Sequence, residues 1–346
     1  MTKARLLWTT LLATQFLAPA GLRADGPLPT DPTVIAGDIT ITNPTDAQLL
    51  LLQSGAYGIV DWGSFSIADG FGVQFQNGSG ATLNRVTGSD LSQVFGTLDA
   101  TGSVYLINQN GIVFAESGVV NTGGSFVAST LDIANADFLD GGDTVFAGES
   151  AAYVINLGSV SSLGGDVAIL ARNVVNEGTL RAPNGTVGLA AGREILMRDT
   201  SVADGLFAVR IGGADTSVSE SGAIRAAAAE LRANGGNVYA LAGNTAGTIA
   251  ATGVARVKGR VFLTAGDSGT VQVEKTVKAT EADGSGGTIA LDGGQVEMSG
   301  LLTLRAHPVA RCGSPPASLR YFPARFWPLA LVHRPPAVLS RFRAPI

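Results

Sequence analysis

Two stretches in the middle of this chain decide its fold, Gly165-Asp166-Val167-Ala168-Ile169-Leu170 and Gly185-Thr186-Val187-Gly188-Leu189-Ala190. Each begins with a glycine and continues as a short run in which apolar and small residues alternate, which is typical of a strand with one buried face. The opening glycines are 20 residues apart. A second pair, Asn156-Leu157-Gly158-Ser159-Val160 and Asn176-Glu177-Gly178-Thr179-Leu180, has the same spacing. The chain therefore repeats a unit of about 20 residues.

The repeat continues towards the C-terminus, where similar strands begin at Gly236 and Gly287, each 51 residues after the one before. These steps fit coils of about twenty residues with insertions. Strands this short cannot bury a core alone, so successive coils must stack on one another. The sequence predicts an all-β, right-handed parallel β-helix with an N-terminal cap, short β-hairpin excursions and an interior of Val, Ile, Leu and Ala. Residues 25–300 would form roughly 13 coils, a rod about 60–65 Å long.

Two segments interrupt the strand pattern. Residues 223–232 are rich in alanine and have good helix propensity, but Ile224 fits the coil register, so helix and strand both remain open. Residues 134–139 are predicted to form one helical turn that ends at Gly141-Gly142, as a side excursion from the rod.

Aromatic residues cluster in the early part of the rod. We interpret them as a plug that covers the first coils, because an open solenoid end exposes unpaired strand edges; a surface for a partner is the alternative. The cluster consists of Trp62, Phe65, Phe71, Phe75, Phe95, Tyr105 and Phe114.

The most distinctive motifs lie in the same region. Asn84-Arg85-Val86-Thr87-Gly88 is followed, one strand later, by Val104-Tyr105-Leu106-Ile107-Asn108-Gln109-Asn110-Gly111-Ile112-Val113-Phe114. The Asn-Gly pair favours a tight turn between two apolar strands, because glycine adopts positive φ without steric cost and asparagine tolerates it. Trp62-Gly63-Ser64-Phe65-Ser66-Ile67 precedes these motifs, and Val127-Ala128-Ser129-Thr130-Leu131-Asp132 follows them.

In this order, the motifs resemble the N-terminal secretion domain of filamentous haemagglutinin-type exoproteins, which travel by two-partner secretion. The motif-level resemblance covers residues 37–133 and continues more loosely to about residue 300. The sequence departs from the family at Gln109, where the family usually has proline. Loss of proline at the first central position of a turn costs roughly 0.4–1 kcal/mol, so we expect the turn to survive.

The resemblance implies a secreted exoprotein whose β-helix directs export and begins a fibrous adhesin or haemagglutinin. Its implied partners are an outer-membrane β-barrel transporter with periplasmic recognition domains, the general secretion machinery and a host-cell surface ligand. Its implied location is the bacterial cell surface or the medium, reached through the periplasm. The residues that match the family's secretion determinants are Asn84, Arg85, Asn108, Asn110, Gly111 and Ile112. We interpret these asparagines as turn formers that shape the first coils.

The N-terminus reads as a signal peptide over residues 1–24. Lys3 and Arg5 precede an apolar run over residues 6–17, and cleavage is expected near Ala20 or Ala24. A buried N-terminal helix is the alternative.

The last part of the chain, residues 301–346, has a different composition from the repeats. From His307 onward it contains eight prolines and six arginines and no Asp or Glu, and it holds both histidines and the only cysteine. The remaining 17 basic and 28 acidic residues give positions 1–306 a net charge of −11. We interpret this tail as disordered or as the product of a reading-frame shift; a basic, proline-rich linker is the alternative.

The residue types before the tail argue against enzymatic chemistry. Without His or Cys, the rod offers no catalytic triad, cysteine nucleophile or His-ligated metal, so no catalytic, cofactor or metal site is predicted. Its acidic charge gives no basic patch for nucleic acid, and no small-molecule substrate is expected. A β-helical polysaccharide-active enzyme is one alternative, although Asp166, Asp199, Asp204 and Asp215 follow no regular stripe. A self-transporting adhesin passenger is the other.

Overall fold

The computed structural model of the chain describes residues 26–198, 206–212, 216–233, 241–244, 247–252, 258–304 and 339–340. The predicted signal peptide and its cleavage sites lie outside the described residues. So does most of the predicted tail, and its nature stays a prediction. No helix in the described ranges has the length and apolar character that a membrane crossing requires.

The first half of the chain begins with short strands and one helix. Its elements are β1 (Thr33–Ala36), β2 (Ile39–Thr45), β3 (Gln48–Gln53), β4 (Tyr57–Trp62), β5 (Gly72–Gln76), β6 (Ala81–Val86), β7 (Ser92–Val94), β8 (Thr97–Ala100), β9 (Ser103–Ile107), β10 (Ile112–Phe114), β11 (Val119–Thr122), β12 (Phe126–Ser129), β13 (Asp132–Ile133), α1 (Asn135–Asp140), β14 (Thr144–Ala147), β15 (Tyr153–Asn156), β16 (Ser159–Ser162) and β17 (Val167–Ala171).

The second half contains longer strands that bend around the corners of the rod. Its elements are β18 (Asn173–Asn176), β19 (Thr179–Ala191), β20 (Glu194–Met197), β21 (Phe207–Ile211), β22 (Ser217–Glu220), β23 (Ala223–Ala233), β24 (Leu241–Asn244), β25 (Thr248–Thr252), β26 (Arg260–Val273), β27 (Val277–Thr280), β28 (Thr288–Met298), β29 (Leu302–Leu304) and β30 (Leu339–Ser340).

The strands stack in parallel along three faces of one rod, which confirms the predicted β-helix. Face A consists of β3, β5, β8, β11, β16, the start of β19, the start of β23, β25, β27 and β29. Face B runs from β4 through β6, β9, β12 and β17 to the later parts of β19 and β23 and the starts of β26 and β28. Face C contains β7, β10, β15, β18, β22, β24 and the ends of β26 and β28.

The predicted number of coils is wrong. Ten strands stack on face A, and the nine steps from Leu49 to Leu302 cover 253 residues, about 28 residues per coil. At about 4.8 Å per step the rod is about 43 Å long. The coils are longer than the 20-residue repeat because two of them carry insertions, and the repeat itself occurs only between β16 and β19.

The insertions form the predicted excursions. Strands β13, β14, β20 and β21 pair antiparallel in a separate four-stranded sheet. Their apolar side chains, including Phe138, Phe146 and Ile195, pack on the outward side of face B against residues such as Leu83 and Val127. The predicted helical turn is confirmed as α1, which ends at Gly141 with a φ of 69°.

The N-terminal end is closed by antiparallel pairing of β1 with β4 and of β2 with β3. This arrangement confirms the predicted cap. The interpretation of the aromatic residues as a plug is confirmed for four of them, which are at most 1% exposed in the interior: Trp62, Phe65, Phe75 and Phe114. The other three are only partly buried, on corners or on the outer side of the rod.

The register of the repeats is partly as predicted. Val160 stacks on Leu180, which confirms the 20-residue repeat. The prediction that the Gly236 strand follows Gly185 in the same register is wrong, because β23 occupies that position with Val187 beside Ala229. Gly236 itself lies outside the described residues. Residues 223–232 belong to this strand and not to a helix, since both neighbouring coils offer them backbone partners.

Candidate functional site

The six residues that match secretion determinants lie on two neighbouring coils near the N-terminal end. Asn84 and Arg85 are on β6, Asn108 to Gly111 form the connection between β9 and β10, and Ile112 begins β10. The two motifs are 24 residues apart in sequence, but the coil brings them into contact.

Asn84 is inside the rod. Its side chain has no exposed surface. The Oδ1 atom accepts a hydrogen bond from Trp62 Nε1 at 3.1 Å, and Nδ2 donates to the carbonyl oxygens of Thr82 and Tyr105 at 3.3 and 3.2 Å. The interpretation of Asn84 as a turn former is therefore wrong. It sits mid-strand and pairs its polar groups with three coils, because a buried amide without partners would be costly.

Asn108 begins the predicted turn and is also fully buried. The backbone NH of Gly111 donates to the Asn108 carbonyl at 3.1 Å and closes the turn. The Asn108 Oδ1 atom accepts from the backbone NH of Asn110 at 2.9 Å, which is the local bond that favours asparagine at this position. Its Nδ2 atom donates to the Asp90 carbonyl at 2.9 Å and to Ser92 Oγ at 3.0 Å, both in the preceding coil. Here the turn-former interpretation is confirmed.

Asn110 joins the two motifs directly. Its Nδ2 atom donates to the carbonyl oxygen of Gly88, the last residue of the first motif, at 2.8 Å. Together with the bond from Asn108 to Asp90, this contact fixes the loop that follows β6. The turn survives with Gln109 in place of proline, as predicted, and the Gln109 carbonyl accepts a bond from Ser150 Oγ at 2.5 Å.

Gly111 and Ile112 adjust the path of the chain into the core. Gly111 has a φ of 116°, a conformation that other residues avoid. A Cβ atom at this position would also lie 3.3 Å from the carbonyl oxygen of Tyr153 in the next coil. Ile112 then points inward with no exposed surface and stacks between Ser92 and Val154.

Arg85 faces the opposite side of β6 and holds the excursion. Its Nε atom donates to Asp132 Oδ1 at 2.9 Å, and Nη2 donates to the Ile133 carbonyl at 2.8 Å. Its Nη1 atom lies 3.4 Å from Asp61 Oδ1 on the preceding coil. With only 15% of its side chain exposed, Arg85 links the first coils to a segment almost 50 residues later.

Tyr105 supports this junction from the next rung. Its ring meets the ring of Phe138 edge-on at 5.1 Å, beneath α1. Burial, with a smaller contribution from the charge of Asp166, raises the pKa of the Tyr105 phenol to about 12. The phenol is therefore neutral at physiological pH and acts as packing surface.

The arrangement is a set of fasteners and not a reaction centre. The described residues contain no cluster of three or more His, Cys, Asp or Glu side chains that could hold a metal ion. Sequence reasoning missed four partners of the motif side chains: Trp62, Asp90, Ser92 and Asp132. Trp62 and Asn84 are 22 residues apart, as are Gly88 and Asn110. A search for polar or aromatic residues one coil apart could have found such pairs.

Comparison with known proteins agrees with the geometry. The TPS secretion domain family matches residues 24–302 of this chain. The crystal structure of the HMW1 secretion domain from Haemophilus influenzae has 25% sequence identity and a TM-score of 0.65, over 80% of this chain and 73% of that one. The crystal structure of a filamentous hemagglutinin secretion domain matches with 16% identity and a TM-score of 0.47, over 80% and 94% of the two chains. No curated protein matches the sequence.

The class defined by this fold and these motifs is that of the β-helical secretion domains. The chain belongs to the TPS secretion domain family, because the match covers its whole β-helix. It is a two-partner secretion exoprotein, exported with a cognate outer-membrane transporter. The resemblance found in the sequence is confirmed, and the two alternatives, a polysaccharide-active enzyme and an autotransporter passenger, are not favoured.

Proposed function

We propose that the six motif residues promote export by building the first coils of the rod, and not by offering side chains to the transporter after folding. The observation that carries this proposal is burial: Asn84, Asn108 and Ile112 have no exposed surface. A partner that meets the folded coil cannot touch them. Any direct reading of these side chains would have to take place while the chain is still extended.

The proposed route has three steps. Residues 1–24 direct the chain through the general secretion machinery into the periplasm, where it stays extended. The chain then adds a strand to an exposed sheet edge in the periplasmic domains of the transporter, using backbone hydrogen bonds that any extended segment can make. Outside the cell the first coil closes, and each new coil forms on the edge left by the one before.

The motif contacts suit the closing of the first coils. Asn108 and Asn110 bind the carbonyl oxygens of Asp90 and Gly88, so the third coil locks the loop of the second. These bonds form only after one full coil has been laid on another. Folding would thus draw the chain outward and oppose its return, without a nucleotide.

We further propose that the role of the chain is structural and not enzymatic. The rod would begin a fibrous adhesin or haemagglutinin that meets a ligand on host cells. The support is the similarity to secretion domains named for HMW1 and filamentous hemagglutinin.

The test compares motif residues with a buried partner outside the motifs. In cells that make the chain and its transporter, Asn108→Ala is expected to deplete the chain from the medium and leave it in the periplasm. Ser92→Ala removes one hydrogen-bond partner of Asn108 and should lower export to an intermediate level, in proportion to its effect on unfolding of the purified chain. Asn121→Ala is the matched control, because Asn121 is exposed on face A and bonds only Asp99.

The outcomes separate the two modes of action. Export that follows the stability of the first coils across all three variants supports the folding role. Normal export of Ser92→Ala, together with loss of export for Asn108→Ala at matched stability, would show that the transporter reads the motif itself.

A further inference from the structure

Three basic side chains lie in one row on the outer side of face A. Parallel pairing places Arg181 beside Arg225, Arg225 beside Ala250, and Ala250 beside Lys278. Adjacent strands are about 4.8 Å apart, so the two arginines are neighbours and Lys278 lies about 10 Å beyond them. We name Arg181, Arg225 and Lys278 the basic row.

The basic row is unusual in a rod of net charge −11. Both arginines are exposed, and Lys278 is half-buried. None of the three forms an ion pair with a described carboxylate. Like charges on directly adjacent strands destabilise a sheet. The row therefore has an energetic cost and no internal partner, which is the pattern of a surface that binds an anion.

The geometry points to an anionic chain that lies along the rod. The arginine pair can hold one carboxylate or sulfate group, since guanidinium groups bind such anions through paired hydrogen bonds. Lys278 can hold a second group about 10 Å away, which no single small anion would reach. The surface beside the row carries the hydroxyl groups of Thr179 and Thr248, suited to sugar hydroxyls.

We infer that the basic row is a binding surface for an acidic polysaccharide with charged groups repeated along the chain. The row contains no aromatic side chain on which a nucleic acid base could stack. It lies on later coils than the secretion motifs, so the inference goes beyond the proposed function and does not depend on it.

The test measures binding of the full chain, purified from the medium, to immobilised polysaccharides at low and high salt. Dextran sulfate and polygalacturonate present sulfate and carboxylate groups respectively, and neutral dextran presents neither. We expect binding to at least one charged polymer, weakened by salt and absent with neutral dextran. Arg181→Gln combined with Arg225→Gln should lower the affinity about tenfold or more.

Matched variants make the result specific. Arg210→Gln removes the same kind of charge from the excursion and should leave binding unchanged. Arg181→Lys with Arg225→Lys should restore part of the affinity, and Ala250→Lys, which fills the gap in the row, should raise it. The inference is wrong if the double Gln variant binds like the original chain, if Arg210→Gln weakens binding equally, or if single-stranded DNA is bound through the row more tightly than either polysaccharide.

Discussion

The early coils and the late coils fill the same rod with different side chains. Up to β12 the interior contains large aromatic groups, among them Trp62, Phe75 and Phe126. From β15 onward none of the described buried side chains on the three faces is aromatic, and alanine and valine dominate. The early interior is made of unique pieces, whereas the late interior repeats small ones.

Buried polar groups differ in the same way. Asn84 and Asn108 each find partners that occur once, such as Trp62 and the Asp90 carbonyl. In the late coils Asn156, Asn176 and Glu220 occupy one position in successive rungs and bond to each other at 2.7 Å. This contrast indicates that the early coils specify where the helix starts, and that the late coils extend whatever has started.

The largest expected effect is on the early core. Trp62→Ala removes a fully buried ring that packs edge-on against Phe65 at 5.5 Å, and it leaves Asn84 without its indole partner. We expect the free energy of unfolding to fall by about 3–5 kcal/mol. Val174→Ala in the late interior should cost clearly less, since it removes fewer buried atoms. Denaturant unfolding of the purified chain measures both, and equal losses would contradict the contrast between the regions.

The late ladder should make stability depend on pH. Burial raises the pKa of Glu220 from 4.5 to about 8, although a hydrogen bond from Asn176 opposes the shift. Between these values the folded chain keeps a proton that the unfolded chain has lost. Stability is therefore highest below about pH 4.5 and falls as pH rises towards 8, by up to about 1.4 kcal/mol per pH unit.

Glu220→Gln tests this dependence because it keeps the amide-like shape without a titrating group. From pH 5 to pH 7 the original chain should lose roughly 2–3 kcal/mol more than the variant does. Unfolding midpoints at several pH values give the comparison, and Glu177→Gln, at an exposed corner, is the control. Parallel pH profiles for the original chain and Glu220→Gln would mean that Glu220 is ionised in the folded rod.

The sequence predicted the late coils better than the early ones, for a physical reason. Where Val160 stacks on Leu180, identical spacing repeats identical chemistry, and the period is visible in one dimension. The role of Asn84 was not, because its partners lie one coil away and a strand asparagine looks locally like a turn residue. The coil number failed because the two excursions lengthen single coils by about 20 residues, and residues 223–232 form a strand because tertiary pairing overrides helix propensity.

Close stacking at the corners gives the next effect. A Cβ atom on Gly178 would collide with the backbone of Gly158 in the coil before it, and neither backbone can move without breaking strand pairs. Gly178→Ala should therefore cost about 1–3 kcal/mol. Gly55→Ala is the control in the early region, because its Cβ would meet no atom closer than 3.8 Å. That variant should be neutral or slightly stabilising, and a similar loss in both would rule out the steric explanation.

The smallest expected effect concerns the link between early coils and the excursion. Arg85→Lys keeps the charge but cannot reach Asp132 and the Ile133 carbonyl together, because an ammonium group lacks the forked donors of a guanidinium. We expect a global loss of about 1 kcal/mol. Hydrogen exchange should quicken more at β13 and β14 than in the rod, since the excursion loses its attachment while the coils stay stacked. Arg181→Lys, which has no ion-pair partner among the described residues, should change neither quantity. Uniform loss of protection along the whole chain would instead place Arg85 among the residues that hold the coils themselves, next to Asn84.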